Sequence, residues 1–346
     1  MKLLVLLLGF CCFEAQAQCV YYQGVCQADW MKNLSSIIKQ RPLTQIRLPG
    51  THDSSAYQLN LTATTPMEVT TAFDWFKKQA PSYPIISRLL LMLTLAQPLS
   101  IIDQLEQGIR AFDFRILYNK DLKEFFLSHS FATVSLDTVL TQIRFFLSKH
   151  LGEFLIITME TDSEHVTQTT PYVHAAINQV LSILGKYLIP VTLDKKLNAA
   201  MTLENLVNIN QRVLFIFTDW KQSHYAHVWP SGVFVEYWPN GQNVSESMSK
   251  ISEYLPQLET PQSQYLNSVF FTVTPTQNSV IAGVIGGPVF GCKDPRSLFD
   301  WANLMNPVAL DFIDSNLTHL SGLNVVRADA PSDEYVQRVI SLNEQV

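Results

Sequence analysis

The chain has 346 residues, a formal net charge of −6 at pH 7 and 47% hydrophobic residues. The acidic balance argues against nucleic acid as a partner, because phosphate backbones bind to basic faces. The hydrophobic fraction is typical of an ordinary globular core, and no linker, charge block or internal repeat divides the sequence, so we predict one large domain.

Residues 1–17 have the layout of a secretory signal peptide. Lys2 precedes an apolar run over residues 3–13, and the small-residue triplet Ala15-Gln16-Ala17 supplies a cleavage site. The apolar run is too short to span a bilayer, and no other segment is predicted to be transmembrane. We therefore expect a secreted, extracellular mature chain over residues 18–346. Four Asn-X-Ser/Thr sequons agree with export and are predicted glycosylation sites: Asn33, Asn60, Asn243 and Asn316.

The cysteines that remain after cleavage are odd in number, which is unusual for an oxidising compartment. They are Cys19, Cys26 and Cys292. The simplest pairing joins Cys19 to Cys26 and leaves Cys292 free. A bridge from either N-terminal cysteine to Cys292 is equally consistent with the sequence.

Beyond the signal peptide, short strand-like runs alternate with segments of helical periodicity, as is typical of parallel strands joined by helices. The strands are predicted, in chain order, over residues 45–48, 111–117, 124–127, 153–159, 212–218, 233–237, 269–273 and 308–312. The helices are predicted over residues 100–107, 136–147, 171–187, 294–304 and 332–342. The strands are about as many as a barrel needs, so the predicted fold is α/β, a distorted TIM-type (β/α) barrel in a single domain.

Polar and charged side chains stand at or just beyond the ends of the predicted strands. They are His52, Asp53, Arg115, His129, Glu160, Asp219 and Asp311. Because the ends of several strands build the active site of a barrel, these side chains are candidates for one site. Two histidines with a guanidinium suit phosphoryl transfer, since one imidazole can accept a proton, the other can donate one, and an arginine fork binds phosphate oxygens.

Four segments resemble the X-box of phosphatidylinositol-specific phospholipase C in their order and spacing. They are Leu48-Pro-Gly-Thr-His-Asp-Ser54, Gln104-Leu-Glu-Gln-Gly-Ile-Arg-Ala-Phe-Asp-Phe-Arg115, Phe126-Leu-Ser-His129 and Phe154-Leu-Ile-Ile-Thr-Met-Glu160. The likeness is strong over residues 40–165, which would hold the core motifs, and loose over residues 166–346, which would close the barrel. The nearest type is the bacterial-like, metal-independent branch, which includes the X-domain-only animal proteins.

The resemblance implies an activity and a role for each residue. The protein would be a phosphoric diester hydrolase that cleaves phosphatidylinositol-type lipids at a membrane surface to diacylglycerol and inositol 1,2-cyclic phosphate. His52 would deprotonate the inositol 2-hydroxyl, and His129, with Asp53 as its carboxylate partner, would protonate the leaving oxygen. Arg115 would hold the phosphate oxygens where calcium sits in the metal-dependent branch. Asp311 would orient His52 by accepting its second N–H.

The residue at position 115 sets the expected metal dependence. An acid there, together with Asp53, Asp113 and Glu160, could assemble a calcium site of oxygen ligands. Arg115 instead supplies its own positive charge and would repel a divalent ion. We therefore expect no metal and no other cofactor.

The remaining candidates lie in the expected headgroup pocket. Asp113 would either hold the arginine at the phosphate or contact the substrate. The candidate ligands of inositol hydroxyls are Glu160, Asp219, Glu236 and Tyr237. Two residues depart from the bacterial pattern, since Ser130 stands where glycine is usual and Glu160 where a basic residue is usual. These departures motivate an alternative, a catalytically silent glycosylated protein that binds inositol lipids or glycans on the same barrel. No protein partner is implied.

Overall fold

The computed structural model describes residues 21–22, 24–60, 82, 91–162, 170–220, 225–276 and 295–345. The predicted signal peptide, Cys19 and Cys292 lie outside the described residues. Cys26 is disulfide-bonded, and because both of its possible partners lie outside those ranges, the choice of partner stays a prediction. Within the described ranges, no helix combines the length and the apolar character that crossing a membrane requires.

The centre of the structure is a curled sheet of ten strands, and a separate antiparallel pair, β1 (Tyr21–Tyr22) and β2 (Val25–Cys26), precedes it. The strands of the large sheet are β3 (Leu48–Thr51), β4 (Ala111–Asn119), β5 (Glu124–His129), β6 (Phe131–Ser135), β7 (Leu155–Thr161), β8 (Val213–Phe217), β9 (Trp229–Pro230), β10 (Phe234–Tyr237), β11 (Leu266–Phe271) and β12 (Val325–Ala328).

Most neighbouring strands of this sheet pair in parallel, in the order β10-β11-β12-β3-β4-β7-β8-β9. The exceptions are β5 and β6, which extend β4 as an antiparallel meander. The last strand, β12, lies beside the first, β3, as in a barrel. No ladder joins β9 to β10 among the residues that the structure describes, so the barrel is open on that side. The predicted α/β fold with a distorted TIM-type barrel is confirmed.

Helices cover the outside of the sheet, and hydrogen-bonding side chains fix where most of them begin. Their bounds are α1 (Trp30–Asn33), α2 (Ser36–Lys39), α3 (Ile101–Gln107), α4 (Leu136–Lys149), α5 (Thr170–Leu184), α6 (Leu203–Asn208), α7 (Val244–Tyr254), α8 (Leu298–Ser315) and α9 (Asp333–Ser341). Side-chain oxygens cap α2, α3, α4, α6, α7, α8 and α9, from Ser35, Ser100, Ser135, Thr202, Asn243, Ser297 and Ser332.

Alternation of side chains along the strands determines which residues face the barrel interior. Near the amino ends of the strands the interior is apolar and is filled by Leu48, Ala111, Ile156, Leu214 and Val325. Polar side chains follow two residues later on three of the same strands, at Asp113, Thr158 and Arg327. The interior therefore changes from an apolar floor to a charged layer toward the carboxyl ends of the strands.

The first predicted strand begins three residues too early, at 45 instead of Leu48, because residues 43–45 form a 3₁₀ helix. The strand β3 passes tightly between its neighbours at Gly50. A Cβ atom there would lie 3.0 Å from the Val325 side chain and 3.1 Å from Ala111. Any larger residue would press on both neighbours, so glycine lets β3 pass between them without displacement.

The predicted strand over 308–312 is wrong, because these residues belong to helix α8. Ala309 and Ile313 are buried at helical spacing, whereas Val308 is 40% exposed. The eighth parallel strand is instead β12, which was not predicted. It has only four residues, and Arg327 interrupts its apolar run.

Candidate active site

The strand β3 delivers His52 and Asp53 to the mouth of the barrel, where backbone hydrogen bonds hold the turn. The His52 N–H donates to the carbonyl of Ala328 at 3.1 Å, and Gln97 Nε2 donates to the His52 carbonyl at 2.7 Å. The Asp53 N–H donates to the Asp113 carboxylate at 3.1 Å. Asp53 has a φ of 41°, a left-handed conformation that aspartate tolerates better than most residues. The turn thus holds both side chains in fixed positions.

His52 lies between two carboxylates. Its Nδ1 is 2.9 Å from Asp329 Oδ1, and its Nε2 is 3.1 Å from Asp53 Oδ2. Burial disfavours the charged imidazole, but Asp53 and Asp329 outweigh burial and raise the pKa of His52 to about 9. At neutral pH the free site therefore holds His52 protonated.

The carboxylate beside His52 Nδ1 is Asp329, and the expectation that Asp311 would fill this position is corrected. Asp311 lies on helix α8, where it is exposed and lines a groove shared with α9. Asp329 directly follows β12 and shares the barrel mouth with the turn after β3. The available sequence signal was an acid directly after the short segment 325–328, in which Arg327 is the one charged residue.

His129 stands at the end of β5 with its ring facing the same carboxylate. Its Nδ1 is 2.7 Å from the Thr94 carbonyl, and because a carbonyl only accepts, this nitrogen carries a hydrogen. Its Nε2 is 3.2 Å from Asp53 Oδ2, and the His52 and His129 ring centroids are 6.3 Å apart. Ser130 follows with a left-handed φ of 59°, a conformation that glycine would adopt without a steric cost.

Arg115 is held between two carboxylates on the inner face of β4. Its Nη1 is 3.2 Å from Asp53 Oδ1, and its Nε is 2.8 Å from Glu160 Oε1 on β7. Asp53 is the main reason that the pKa of Arg115 is raised. Burial and Asp113 raise the pKa of Glu160 to about 7. The Arg115 side chain remains 28% exposed, so the guanidinium is both fixed and accessible.

The Asp53 carboxylate is the meeting point of the site. Its side chain is 1% exposed and contacts His52, His129 and Arg115. Burial alone would raise the pKa of Asp53, but Arg115 and the two histidines hold it well below its usual range. Asp53 was expected to partner His129, and the structure adds His52 and Arg115 as partners. The ionised carboxylate keeps two imidazoles and one guanidinium converged on one point.

The other predicted substrate ligands occupy different surroundings. Asp113 is buried and accepts the Asp53 N–H, so its carboxylate contacts the protein. Asp219 lies at the rim, where its Oδ2 accepts the backbone N–H of Thr161 at 2.8 Å and the hydroxyl at 2.6 Å. A role for Asp219 toward a headgroup stays a prediction.

Tyr237 is not part of the site, contrary to its predicted role as a substrate ligand. Its hydroxyl donates to the Lys250 carbonyl at 2.9 Å, and its ring stacks on Tyr254 of α7. Because successive side chains on a strand face opposite sides, Glu236 is the residue that faces the interior. Glu236 Oε1 lies 3.1 Å from Arg327 Nη2. Both neighbours are candidates from sequence, because alternation along a strand does not by itself tell which of the two faces inward.

Donor atoms of His52, Asp53 and Asp113 lie within 4.8 Å of one another, a spacing that a metal ion could use. The same atoms already have cationic or donor partners. Arg115 lies 3.2 Å from Asp53, so a divalent ion bound to this carboxylate would face a fixed positive charge. The donor set therefore fits an arginine-filled site better than a metal site.

Comparisons with known proteins agree with this geometry. Residues 89–215 match the family described as phosphatidylinositol-specific phospholipase C, X domain. The mouse PI-PLC X domain-containing protein 2 is 24% identical over 330 residues, which covers 92% of this chain and 88% of the relative. The mouse PI-PLC X domain-containing protein 3 is 24% identical over 321 residues, which covers 91% and 93%.

Solved bacterial structures share the fold. The phosphatidylinositol-specific phospholipase C from Listeria monocytogenes has a TM-score of 0.64 at 20% identity, over 92% of this chain and 99% of that one. A structure of the Staphylococcus aureus enzyme has a TM-score of 0.61 at 15% identity, over 92% and 97%. The sequence match, the named relatives and the shared fold agree: residues 89–215 match the X domain of phosphatidylinositol-specific phospholipase C, and the chain shares the fold of the bacterial enzymes.

Proposed function

We propose that this protein is a secreted phosphodiesterase that cleaves phosphatidylinositol-type lipids to diacylglycerol and inositol 1,2-cyclic phosphate. The observation that carries the proposal is the convergence of His52 Nε2, His129 Nε2 and Arg115 Nη1 on Asp53, at 3.1, 3.2 and 3.2 Å. Phosphoryl transfer to the inositol 2-hydroxyl needs a base, an acid and a phosphate-binding fork within one site.

The proposed reaction is an intramolecular displacement at phosphorus. His52 accepts the proton of the inositol 2-hydroxyl, whose oxygen forms a bond to phosphorus. The bond from phosphorus to the glycerol oxygen breaks, and His129 gives its proton to that oxygen. Arg115 binds the phosphate oxygens, where charge accumulates in the transition state. Asp329 accepts the Nδ1–H of His52 and fixes the ring, as the orienting acid of a catalytic triad does.

Metal independence is part of the proposal and has a direct test. The secreted full chain is incubated with vesicles that contain phosphatidylinositol, or one of a panel of other headgroups, with EDTA or with added calcium. We expect soluble inositol phosphate from phosphatidylinositol at rates that agree within about twofold, since Arg115 replaces the cation. Loss of activity in EDTA with recovery in calcium would overturn the metal independence, and no product from any lipid would overturn the activity.

Secretion and glycosylation are supported by two features. Cys26 is disulfide-bonded, and disulfides persist in oxidising compartments. The sequon residues Asn33 and Asn243 are exposed, and Asn60 and Asn316 are partly exposed. Asn243 caps α7 with its side-chain oxygen, which leaves the nitrogen of the amide available for a glycan.

Asp329 and Asp311 form a matched pair of variants that tests which acid orients the base. Asp329→Asn is expected to lower kcat by about 10²- to 10⁴-fold, because the amide no longer fixes the His52 tautomer or stabilises its charge. Asp311→Asn, a surface change on α8, should leave kcat within about twofold of the unchanged protein. Steady-state kinetics on phosphatidylinositol vesicles decide between them. The reverse ranking would remove Asp329 from the mechanism.

The pH dependence of the reaction should follow His52. The base must be unprotonated, and Asp53 and Asp329 raise its pKa to about 9 against the effect of burial. We therefore expect kcat/KM to rise with pH through neutrality, with the acid limb above the usual histidine value of about 6.5. Asp53→Asn removes one of the charges that raise this pKa, so the limb should move to lower pH.

The readout is the pH profile of kcat/KM, together with an NMR titration of the His52 ring, which does not need activity. An acid limb at or below about pH 6.5 in the unchanged protein would contradict the account. A His52 pKa that is the same in Asp53→Asn as in the unchanged protein would contradict the account as well.

One contact favours the alternative of a silent lipid-binding protein. Glu160 lies 2.8 Å from Arg115 Nε, so a phosphate must compete with this carboxylate for the guanidinium. Vesicle binding without product on prolonged incubation would favour that alternative. Glu160→Gln would then be expected to tighten the binding, because it removes the competing charge.

A further inference from the structure

Arg327 is a buried guanidinium in the barrel interior for which the proposed reaction has no use. It lies on β12, two residues before Asp329, and its side chain is 0% exposed. Its Nε donates to Ser268 Oγ at 3.1 Å and its Nη2 to Thr158 Oγ1 at 2.9 Å. The same Nη2 is 3.1 Å from Glu236 Oε1. One side chain thus links β12 to β11, β7 and β10.

These contacts cross the barrel interior. Glu236 lies on β10, at one edge of the opening between β9 and β10, and Thr158 lies on β7, two strands in from the other edge. The guanidinium lies 5.0 Å from the Phe270 ring centroid and 5.5 Å from that of Phe234, distances at which a cation is attracted to an aromatic face. The Phe270 ring in turn lies 5.5 Å from His52. Arg327 is therefore held rigidly beneath the catalytic residues.

A fourth contact connects Arg327 to the catalytic turn. Its Nη1 has no hydrogen-bond partner, and the nearest acid to it is Asp113, whose Oδ1 is 3.7 Å away. The other oxygen of Asp113 accepts the Asp53 N–H. Two hydrogen bonds join the Asp113 backbone to Ser54. The Asp113 N–H donates to Ser54 Oγ at 2.8 Å, and the Asp113 carbonyl accepts from the Ser54 N–H at 3.0 Å. Asp113 therefore sits between Arg327 and the strained backbone of Asp53.

Arg327 is a second permanent cation in this acidic layer. The acids that face the site are Asp53, Asp113, Glu160, Glu236 and Asp329, and the permanent cations facing them are Arg115 and Arg327. Buried carboxylates without cationic partners are costly and take up protons instead. Since Arg327 is fully buried, it contacts these acids and leaves the phosphate to Arg115.

We infer that Arg327 is a positioning residue, which holds Asp113 in the orientation that fixes the Asp53 backbone and so aligns the His52–Asp53 pair. The effect on turnover rests on the proposed function. The effect on the Asp53 backbone does not depend on it, and the two can be measured separately.

Removing Arg327 alone would leave buried acids unpaired, so the test removes a pair. The variant Arg327→Met/Glu236→Gln keeps the net charge. The matched control is Arg110→Met/Glu153→Gln, which removes a fully buried arginine–glutamate pair with a 2.8 Å contact outside the site. The third variant is Asp113→Asn, and the fourth combines it with Arg327→Met/Glu236→Gln. Thermal unfolding verifies that each variant is folded.

The first readout is hydrogen exchange of the Asp53 backbone N–H by NMR. We expect exchange at least about tenfold faster in Asp113→Asn and in the Arg327 pair variant, because the bond to the Asp113 carboxylate is weakened, and unchanged exchange in the control. Asp53 exchange within about twofold of the unchanged protein in the folded Arg327 variant would overturn the inference. The same acceleration of Asp53 exchange in the control variant would overturn the inference too, since the loss of any buried ion pair would then increase exchange at Asp53.

The second readout is turnover. The Arg327 pair variant should lose about 10- to 100-fold in kcat with KM within about threefold, because misaligned groups slow the chemical step more than they weaken binding. Adding Asp113→Asn to the Arg327 pair variant should lower kcat little further, since both changes interrupt the same connection from Arg327 through Asp113 to Asp53. If the loss of kcat in the combined variant equals the product of the losses in its two component variants, Arg327 does not act through Asp113. A protein without any turnover, but with the expected exchange pattern, would refute the proposed function and retain the positioning role.

If the pair variant does not fold, Arg327→Lys replaces it. Lysine keeps the charge but lacks the fork that reaches several strands at once. We expect the Asp53 exchange to accelerate in the same direction, by about fivefold or more. Unchanged exchange in folded Arg327→Lys would then count against the inference.

Discussion

Replacing Arg115 with alanine is expected to lower kcat/KM by about 10³- to 10⁵-fold, the range seen when a phosphate-stabilising arginine is lost. Arg115 is the only permanent cation of the described site that is accessible, at 28% exposure. Two carboxylates hold its fork in place, so no rearrangement is needed when charge develops on the phosphate oxygens. Without it, the transition state would face a set of acids.

Arg115→Lys separates charge from geometry. Lysine restores the positive charge but offers a single ammonium in place of a planar fork, so we expect a remaining loss of about 10²- to 10³-fold. The matched control is Arg144→Lys on the exposed face of α4, which should change kcat/KM by less than about twofold. The measurement is the initial rate on phosphatidylinositol vesicles. Full activity in Arg115→Lys would show that a point charge suffices and that the fork geometry plays no part.

His52→Ala and His129→Ala are each expected to lower kcat by about 10²- to 10⁴-fold, because each removes one proton transfer from the transition state. The two losses should not multiply in the double variant, since the residues act as a unit. His319, which is exposed and paired with Glu259, provides the control. His319→Ala should stay within about twofold.

The two histidines can be told apart by the leaving group. An inositol phosphodiester with an acidic phenol as leaving group does not need a general acid. It should therefore restore most of the activity of His129→Ala while leaving His52→Ala impaired. Equal recovery of both variants would contradict the assigned roles, and recovery of His52→Ala alone would reverse them.

The convergence of His52 and Arg115 could be predicted because parallel strands of a barrel carry their active-site residues to one face. His129 reaches the same face from the antiparallel strand β5. The strand before Glu160 is a nearly continuous apolar run, and the strand around Arg115 alternates apolar and charged residues, so both can be identified from sequence alone. Helices such as α4 and α9 were also predictable, since Ser135 and Ser332 cap them and apolar residues recur at helical spacing. Capping residues and apolar spacing lie within the segment itself, so they can be recognised without knowing the tertiary structure.

The acid that orients His52 and the residue of β10 that faces the barrel interior were not predictable in the same way. Residues 308–312 contain apolar residues on both sides of Asp311, and only packing against the barrel shows that they form a helix. The true strand before Asp329 is short and contains Arg327, whose charge is stabilised by residues distant in sequence. Tyr237 could not be separated from Glu236 by sequence, because neighbouring residues on a strand face opposite sides and only the register within the barrel decides which one faces inward.

The most direct test of the central claim follows the phosphorus atom. Full-length secreted protein is added to phosphatidylinositol vesicles in EDTA, and the products are observed over time by ³¹P NMR. The account predicts that inositol 1,2-cyclic phosphate is the first product and that His52→Ala abolishes its appearance. A first product that is already acyclic would mean that water attacks in place of the 2-hydroxyl. No phosphorus product from the unchanged protein would contradict the assignment of a phosphodiesterase altogether.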